Sequence, residues 1–239
     1  MKGKKKNLAG LRKALRYGYV PCKLGLCGPN DKKKFKIIDD FLRGNMKLAD
    51  KAEKILREFR GAFPYYQLIA KVNKISDPLD KKVVEAYWLG NSLLENIKGK
   101  NLKDMMKTKF LPLGHMPREK IEKISDKSLA YHNFHVMSIG SVTGTLKETK
   151  KALDLCRVSW GKVSKVEKSE IITEWQPLKF GNKKTLGIFV KKAVRWNKNL
   201  LPAIKKGDWI SIHWNTAIEK LNNSQLKNLR KYTKKVLTN

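Results

Sequence analysis

Apolar residues recur at helical spacing through the first half of the chain. Asp31 stands as an N-cap before a segment in which Phe35, Ile38, Phe41 and Leu42 fall on one face. Asn45 stands before a second, with Ala49, Ala52, Leu56 and Phe59 at the same spacing, and Gly61 and Pro64 break that pattern. A shorter apolar stretch, Pro64–Lys74, leads to the turn signal Asp77-Pro78. A longer helical segment follows, with Val83, Val84, Tyr87, Trp88, Leu93, Leu94 and Ile97, and carries Gly90 in its interior. Leu111 to Pro117 is irregular. Thr145 and Glu148 have the spacing of a capping box for a short helix through Ala152.

Beyond residue 152 the period changes from that of a helix to that of a strand. Leu155–Val166, Glu170–Trp175, Leu186–Val194 and Trp209–Trp214 are short runs rich in β-formers. The last alternates, with Ile210, Ile212 and Trp214 on one face and Trp209, Ser211 and His213 on the other. Asn222 or Asn223 then caps a final helix carrying Leu226, Leu229, Val236 and Leu237. The expected fold class is α+β: a mainly α-helical domain over residues 8–152, then a small β-barrel with a C-terminal helix over residues 153–239.

Composition narrows the class. The 239 residues are 41% hydrophobic and include six tryptophans, enough for a packed core. No apolar run reaches the length of a membrane span, and no apolar core follows the basic N-terminus, so a cytoplasmic protein without membrane contact is expected. The formal charge of +32 suits polyanionic partners, nucleic acid among them. Yet nine of the 53 basic residues are arginine, and the lysines are spread along the chain, which equally describes a lysine-rich solvated surface. Three cysteines, Cys22, Cys27 and Cys156, fit a reducing compartment better than a disulfide framework.

Several residue groups could carry chemistry. Cys27 could share a zinc or iron ion with His132 and His135, an H-x-x-H pair, and His115 lies nearby in sequence. A turn cysteine and histidines satisfied by backbone hydrogen bonds are the plain alternative. Asp77, Asp80 and Glu85 could form an acid/base pair, or be a turn aspartate, a helix cap and a solvated glutamate. The tryptophans at 160, 175, 209 and 214 could stack on bases, or form barrel core and partner contacts. No phosphate loop, dinucleotide fingerprint or serine-nucleophile elbow is present.

Two segments of the β-rich part stand out: Cys156-Arg-Val-Ser-Trp-Gly161-Lys-Val163, and Gly207-Asp-Trp-Ile-Ser-Ile-His213-Trp-Asn-Thr-Ala217-Ile218-Glu-Lys-Leu221. Together they resemble the HypC/HupF hydrogenase maturation chaperones. In that family a cysteine beside the initiator methionine precedes a glycine by five residues, and a Gly-Asp-aromatic strand ends in histidine before an Ala-Ile turn and a helix. Here the cysteine is internal, and Trp160 stands where that family has proline. The whole chain also resembles an uncharacterised bacterial and archaeal family found beside hydrogenase genes, through Arg16-Tyr-Gly-Tyr, Leu24-Gly-Leu-Cys27-Gly-Pro29, Asp77-Pro-Leu-Asp80, Glu85-Ala-Tyr-Trp88 and His132-Asn-Phe-His135-Val136. The resemblance implies an OB-like barrel with Cys156 and His213 as a pair that binds iron transiently or meets a partner. It implies partner contact at Trp160, Gly161, Trp209 and Trp214. The implied partner is the hydrogenase large subunit or another maturation protein, and the implied role is accessory and chaperone-like, not enzymatic. The alternatives are a lysine-rich OB-like RNA- or ribosome-binding protein, and a metal-dependent enzyme built on Cys27, His132 and His135.

Overall fold

The computed structural model describes residues 7–238. They form an α+β protein with a largely helical first part and a β-rich second part. The first helix, α1 (Leu8–Lys23), precedes every element expected from the apolar pattern and buries more residues than any other helix among the described residues, with Leu11, Leu15 and Tyr17 fully enclosed. Against it pack α2 (Lys32–Leu42), α3 (Ala49–Arg57) and α5 (Lys81–Leu89), and α4 (Phe63–Val72) packs on α5. Next come α6 (Gly99–Lys109), α7 (Arg118–Glu122) and the single turn α8 (His132–Phe134), which continues as a π-helical turn over His135–Ile139. The helix α9 (Lys150–Cys156) leads into the strands, and α10 (Asn223–Thr238) closes the described chain.

Local chemistry explains several helix starts. Asp31 caps α2 by accepting from the amides of Lys33 and Lys34, and Asp80 caps α5 through Lys82. Asn222 and Gln225 accept from each other's backbone amides, a capping box before α10. Three expectations need correction. Asn45 starts a 3-10 turn, Met46–Leu48, without a side-chain cap bond, and α3 begins only at Ala49. The segment expected as one helix through Ile97 ends at Leu89, because Gly90 has φ +83 and terminates it; a 3-10 turn, Ser92–Asn96, follows. Thr145 is not a cap: Thr149 caps α9, Thr145 donates to the Leu26 carbonyl, and Glu148 accepts from the Ser141 amide. The helix therefore runs through Cys156, so Leu155 and Cys156 are helical and not strand.

The strands are β1 (Ser159–Val166), β2 (Glu170–Trp175), β3 (Leu178–Phe180), β4 (Lys184–Leu186), β5 (Val190–Arg195), β6 (Trp209–His213) and β7 (Thr216–Lys220). The run expected over Leu186–Val194 is thus split, with Gly187 between β4 and β5. Five strands pair in the order β1-β2-β5-β7-β6, and β6 pairs back to β1, so the sheet closes on itself. The β5–β7 link is parallel and joins Arg195 to Thr216. β3 and β4 form a separate two-stranded sheet.

Val163, Ile171, Val194, Ile210, Ile212 and Ala217 fill the inside of the closed sheet. The outside of β6 is buried as well, because α1 lies against it. Trp214 departs from the expected alternation: it lies past the strand end at φ +50 and joins the larger apolar cluster, which runs from Leu11 to Val236. The helices and the outer wall of the barrel thus share one core. Among the described residues, no helix is long and apolar enough to cross a membrane.

At Gly90 a Cβ would lie 2.3 Å from the Tyr232 ring, at a backbone angle that side chains rarely adopt. Gly90→Ala is expected to lower the free energy of unfolding by about 2–3 kcal/mol in urea titrations, since overpacking and backbone strain add. Gly114→Ala, at φ +77 with nothing within 4 Å, is expected to lose about 1 kcal/mol.

Candidate metal centre

Three tethers bring distant residues to one point. Asn133 pairs with Val158 as a strand residue would: its side-chain nitrogen donates to the Val158 carbonyl at 2.8 Å, and its oxygen accepts from the Val158 amide at 2.8 Å. This sets His132 beside Cys156. The Trp214 amide donates to the Leu155 carbonyl at 2.8 Å, which sets the end of β6 beside the end of α9. Finally, His213 Nδ1 donates to the Tyr17 carbonyl at 2.9 Å. That carbonyl is free because its helical partner four residues on would be Pro21, which has no N–H.

One ligand atom from each of His132, Cys156 and His213 lies within 4.8 Å of the other two, and among the described residues they are the one such group. The two histidines differ in readiness. A carbonyl can only accept, so the bond to Tyr17 puts the His213 proton on Nδ1 and leaves Nε2 with its lone pair. That Nε2 is buried and makes no hydrogen bond, although the Cys156 carbonyl lies close enough to the ring to favour its charged form. His132 is more committed: Nε2 donates to the Cys156 carbonyl at 2.9 Å, and Nδ1 accepts from the Tyr87 hydroxyl at 3.3 Å. Its ring lies over Trp88, centroids 4.4 Å apart, and meets His213 edge-on at 5.1 Å.

Burial sets the charge states. It pushes the His213 pKa down to about 4, opposed by the carbonyls of Tyr17 and Cys156. It depresses His132 strongly too, helped by the neighbouring His213. It drives the Cys156 thiol far above its usual range, with Cys27 adding to the shift and the Trp214 indole N–H opposing it. All three groups are therefore neutral at pH 7. Next to Cys156, Arg157 is fully buried and bound to Asp154 at 2.7 Å and to the Gln176 carbonyl, which locks the turn from α9 into β1.

His132 and Cys156 border a cavity of about 60 Å³ with mostly apolar walls, among them Leu26, Val136, Val142 and Leu153; His213 stands behind them and is not part of the lining. The expected pair Cys156 and His213 does come together, and His132 joins it. The expected trio of Cys27, His132 and His135 does not form a ligand group. Cys27 and His135 line the same cavity on either side of Gly61, 3.8 and 4.0 Å from where its Cβ would sit. His135 Nδ1 is hydrogen-bonded to Tyr65 at 3.0 Å, and burial with Lys120 nearby lowers its pKa to about 4. His115 packs against Gly144 and is not part of the lining.

A pattern that matches DUF6390, a family of unknown function, covers residues 6–239. The chain belongs to that family. No curated protein and no solved structure matches it.

The remaining candidates scatter. Asp77 accepts from the Leu79 amide in its turn, and Asp80 is a cap. Glu85 is not solvated: it binds the buried Lys13 at 2.6 Å and Gln225 at 2.7 Å. Gly161 faces the barrel interior, where a Cβ would meet Thr173 at 2.9 Å. Trp214 lines the metal cavity, whereas Trp160 lies in a groove on another side of the barrel. The functional residue missed in sequence is Tyr17, whose signal was Pro21 four positions later in a helix.

His135 and His213 are expected to titrate near pH 4 in the folded protein, read by NMR of the ring protons; midpoints near 6.5 would refute the burial argument. Because the unfolded chain takes up these protons at about 6.5, these two histidines should lower stability as pH drops from 6.5 to 4, by up to about 3 kcal/mol each, and their contribution should level off below that.

Proposed function

We propose that this protein is a metal-handling accessory factor that presents Cys156 and His213, with His132 as a third donor, to a soft or borderline transition-metal ion, iron first. The observation that carries the reading is the buried, unpartnered Nε2 of His213, held in the ligating tautomer by the Tyr17 carbonyl and placed beside a thiol. A histidine whose other nitrogen donates to a carbonyl is the usual arrangement of a metal-bound imidazole. One thiol and two imidazoles suit iron, zinc or copper and disfavour calcium or magnesium. A set of three donors also leaves a position open, as suits a carrier that must release its cargo.

The resemblance to the hydrogenase maturation chaperones supplies the context: an OB-like barrel, a cytoplasmic setting, and a nickel–iron hydrogenase large subunit or another maturation protein as partner. The nucleic-acid reading draws on the +32 charge but has lost its stacking platform, since Trp160, Trp175 and Trp214 are buried. The enzyme reading lacks its ligand group.

Apo-protein titrated anaerobically with Co(II), as a spectroscopic stand-in for Fe(II), is expected to bind one ion with thiolate-to-metal charge-transfer absorption. About one proton should be released per ion, because the thiol is protonated beforehand. Cys156→Ser should abolish the absorption, and His213→Ala should weaken binding roughly 100-fold or more. Stoichiometric binding that Cys156→Ser leaves unchanged would sink the reading.

Pro21→Ala tests the tether. Its new N–H competes for the Tyr17 carbonyl, so metal affinity should fall about 10-fold while the fold is retained. An unchanged affinity would mean that the Tyr17 carbonyl does not set the His213 tautomer.

A further inference from the structure

The two-stranded sheet β3–β4 borders a groove of about 580 Å³ whose opposite wall is α10. Lys184, Thr185 and Leu186 all line it. Successive side chains of a strand point to opposite faces, so three in a row at one groove mean that β4 offers its edge. β4 pairs with β3 alone, and half of its N–H and C=O groups point away from that partner. Trp160 lies in the groove, and its indole N–H is buried without an acceptor.

Two further features mark this place. Ile188, Phe189 and Val190 are consecutive and exposed at 74%, 48% and 40%, three of the five exposed large hydrophobic side chains among the described residues. Phe189 reaches the groove. Its charge is of one sign: Lys184, Arg230 and Lys234 line it, and no aspartate or glutamate does. Lys184 donates to the Met137 carbonyl. Arg230 lies over the rings of Trp209, at 4.5 Å, and Trp160, at 5.8 Å. Neither Arg230 nor Lys234 has a carboxylate partner among the described residues.

We propose that this groove binds an extended segment of a partner protein, alternating acidic and apolar residues, as an added strand on β4. The open edge supplies main-chain hydrogen bonds, Leu186, Phe189 and Leu237 take the apolar side chains, and Arg230 and Lys234 take the carboxylates. The metal cavity shares no residue with this groove, so the proposal stands without the metal reading.

The probe is a fluorescent, end-blocked hexapeptide, Glu-Val-Glu-Phe-Glu-Val, titrated against the full chain at physiological salt. It is expected to bind. Reversing the groove charges, Arg230→Glu with Lys234→Glu, should weaken binding tenfold or more, and Lys234→Glu alone should weaken it less. The same charge change on distant helices, Lys47→Glu with Lys51→Glu, should alter it less than twofold. An added strand bonds through alternate residues. N-methylation of one alternate set of peptide nitrogens should therefore abolish binding, and methylation of the other set should not. Any of three results overturns the proposal: no binding, equal loss in both charge-reversed pairs, or equal binding of the two methylated peptides. Tighter binding of a single-stranded RNA, weakened selectively by the Arg230/Lys234 pair, would assign the groove to nucleic acid instead.

Discussion

Tyr17 joins the helices to the barrel at both of its ends. Its hydroxyl meets Ser211 at 2.8 Å and Glu219 at 2.7 Å, on two barrel strands. Its carbonyl, released from the helical ladder by Pro21, receives His213. Its ring stacks on Trp88 at 4.8 Å. One turn earlier, the buried Lys13 binds Glu85 of α5 and Glu219 of β7. Polar groups in such a seam favour the arrangement that pairs most of them, because each one left alone costs roughly 1–3 kcal/mol. A slide of α1 along the barrel would break all of these contacts together. The seam therefore sets one register between the two parts, and the cavity lined by Pro21, His132 and Cys156 lies against that seam.

The chemistry of the cavity follows from the same packing. Desolvation keeps the imidazoles and the thiol neutral, so an incoming cation meets lone pairs and not competing positive charge. In a chain of +32 that matters, since the surface as a whole repels cations. The groove beside α10 works on the opposite principle. Arg230 and Lys234 are exposed, and the groove they line shares no residue with the cavity bordered by His132 and Cys156. The molecule thus separates a neutral interior, where the imidazoles and the thiol meet, from a cationic surface groove.

Much of the architecture was legible along the chain. The caps Asp31 and Asn222, the helical face of α2 and the strand β2 depend on neighbours a few residues away, and they appear where local pattern puts them. What failed was local pattern with two readings. Thr145-x-x-Glu148 has the spacing of a capping box, yet Thr149 won the position, because Glu148 was drawn to the Ser141 amide and Thr145 to the Leu26 carbonyl. Gly90 reads as a cost inside a long helix, but it ends one, with Tyr232 of α10 in the space where a side chain would stand.

The amino-acid sequence by itself determined the α+β order of elements, the capacity for a large core and the charge, since composition and period are properties of the chain read in order; the pairing of Cys156 with His213 was implied only by the family resemblance. The sequence did not determine which histidine would join that pair. His132 and His135 are three residues apart and equivalent in sequence. Only the tertiary structure separated them, by using Asn133 to pin His132 to the strand entrance at Val158 while His135 turned to Tyr65. A ligand set drawn from residues 24 and 81 positions apart is decided by which backbone groups are left unpaired when helices and barrel close on each other, and no local pattern records that.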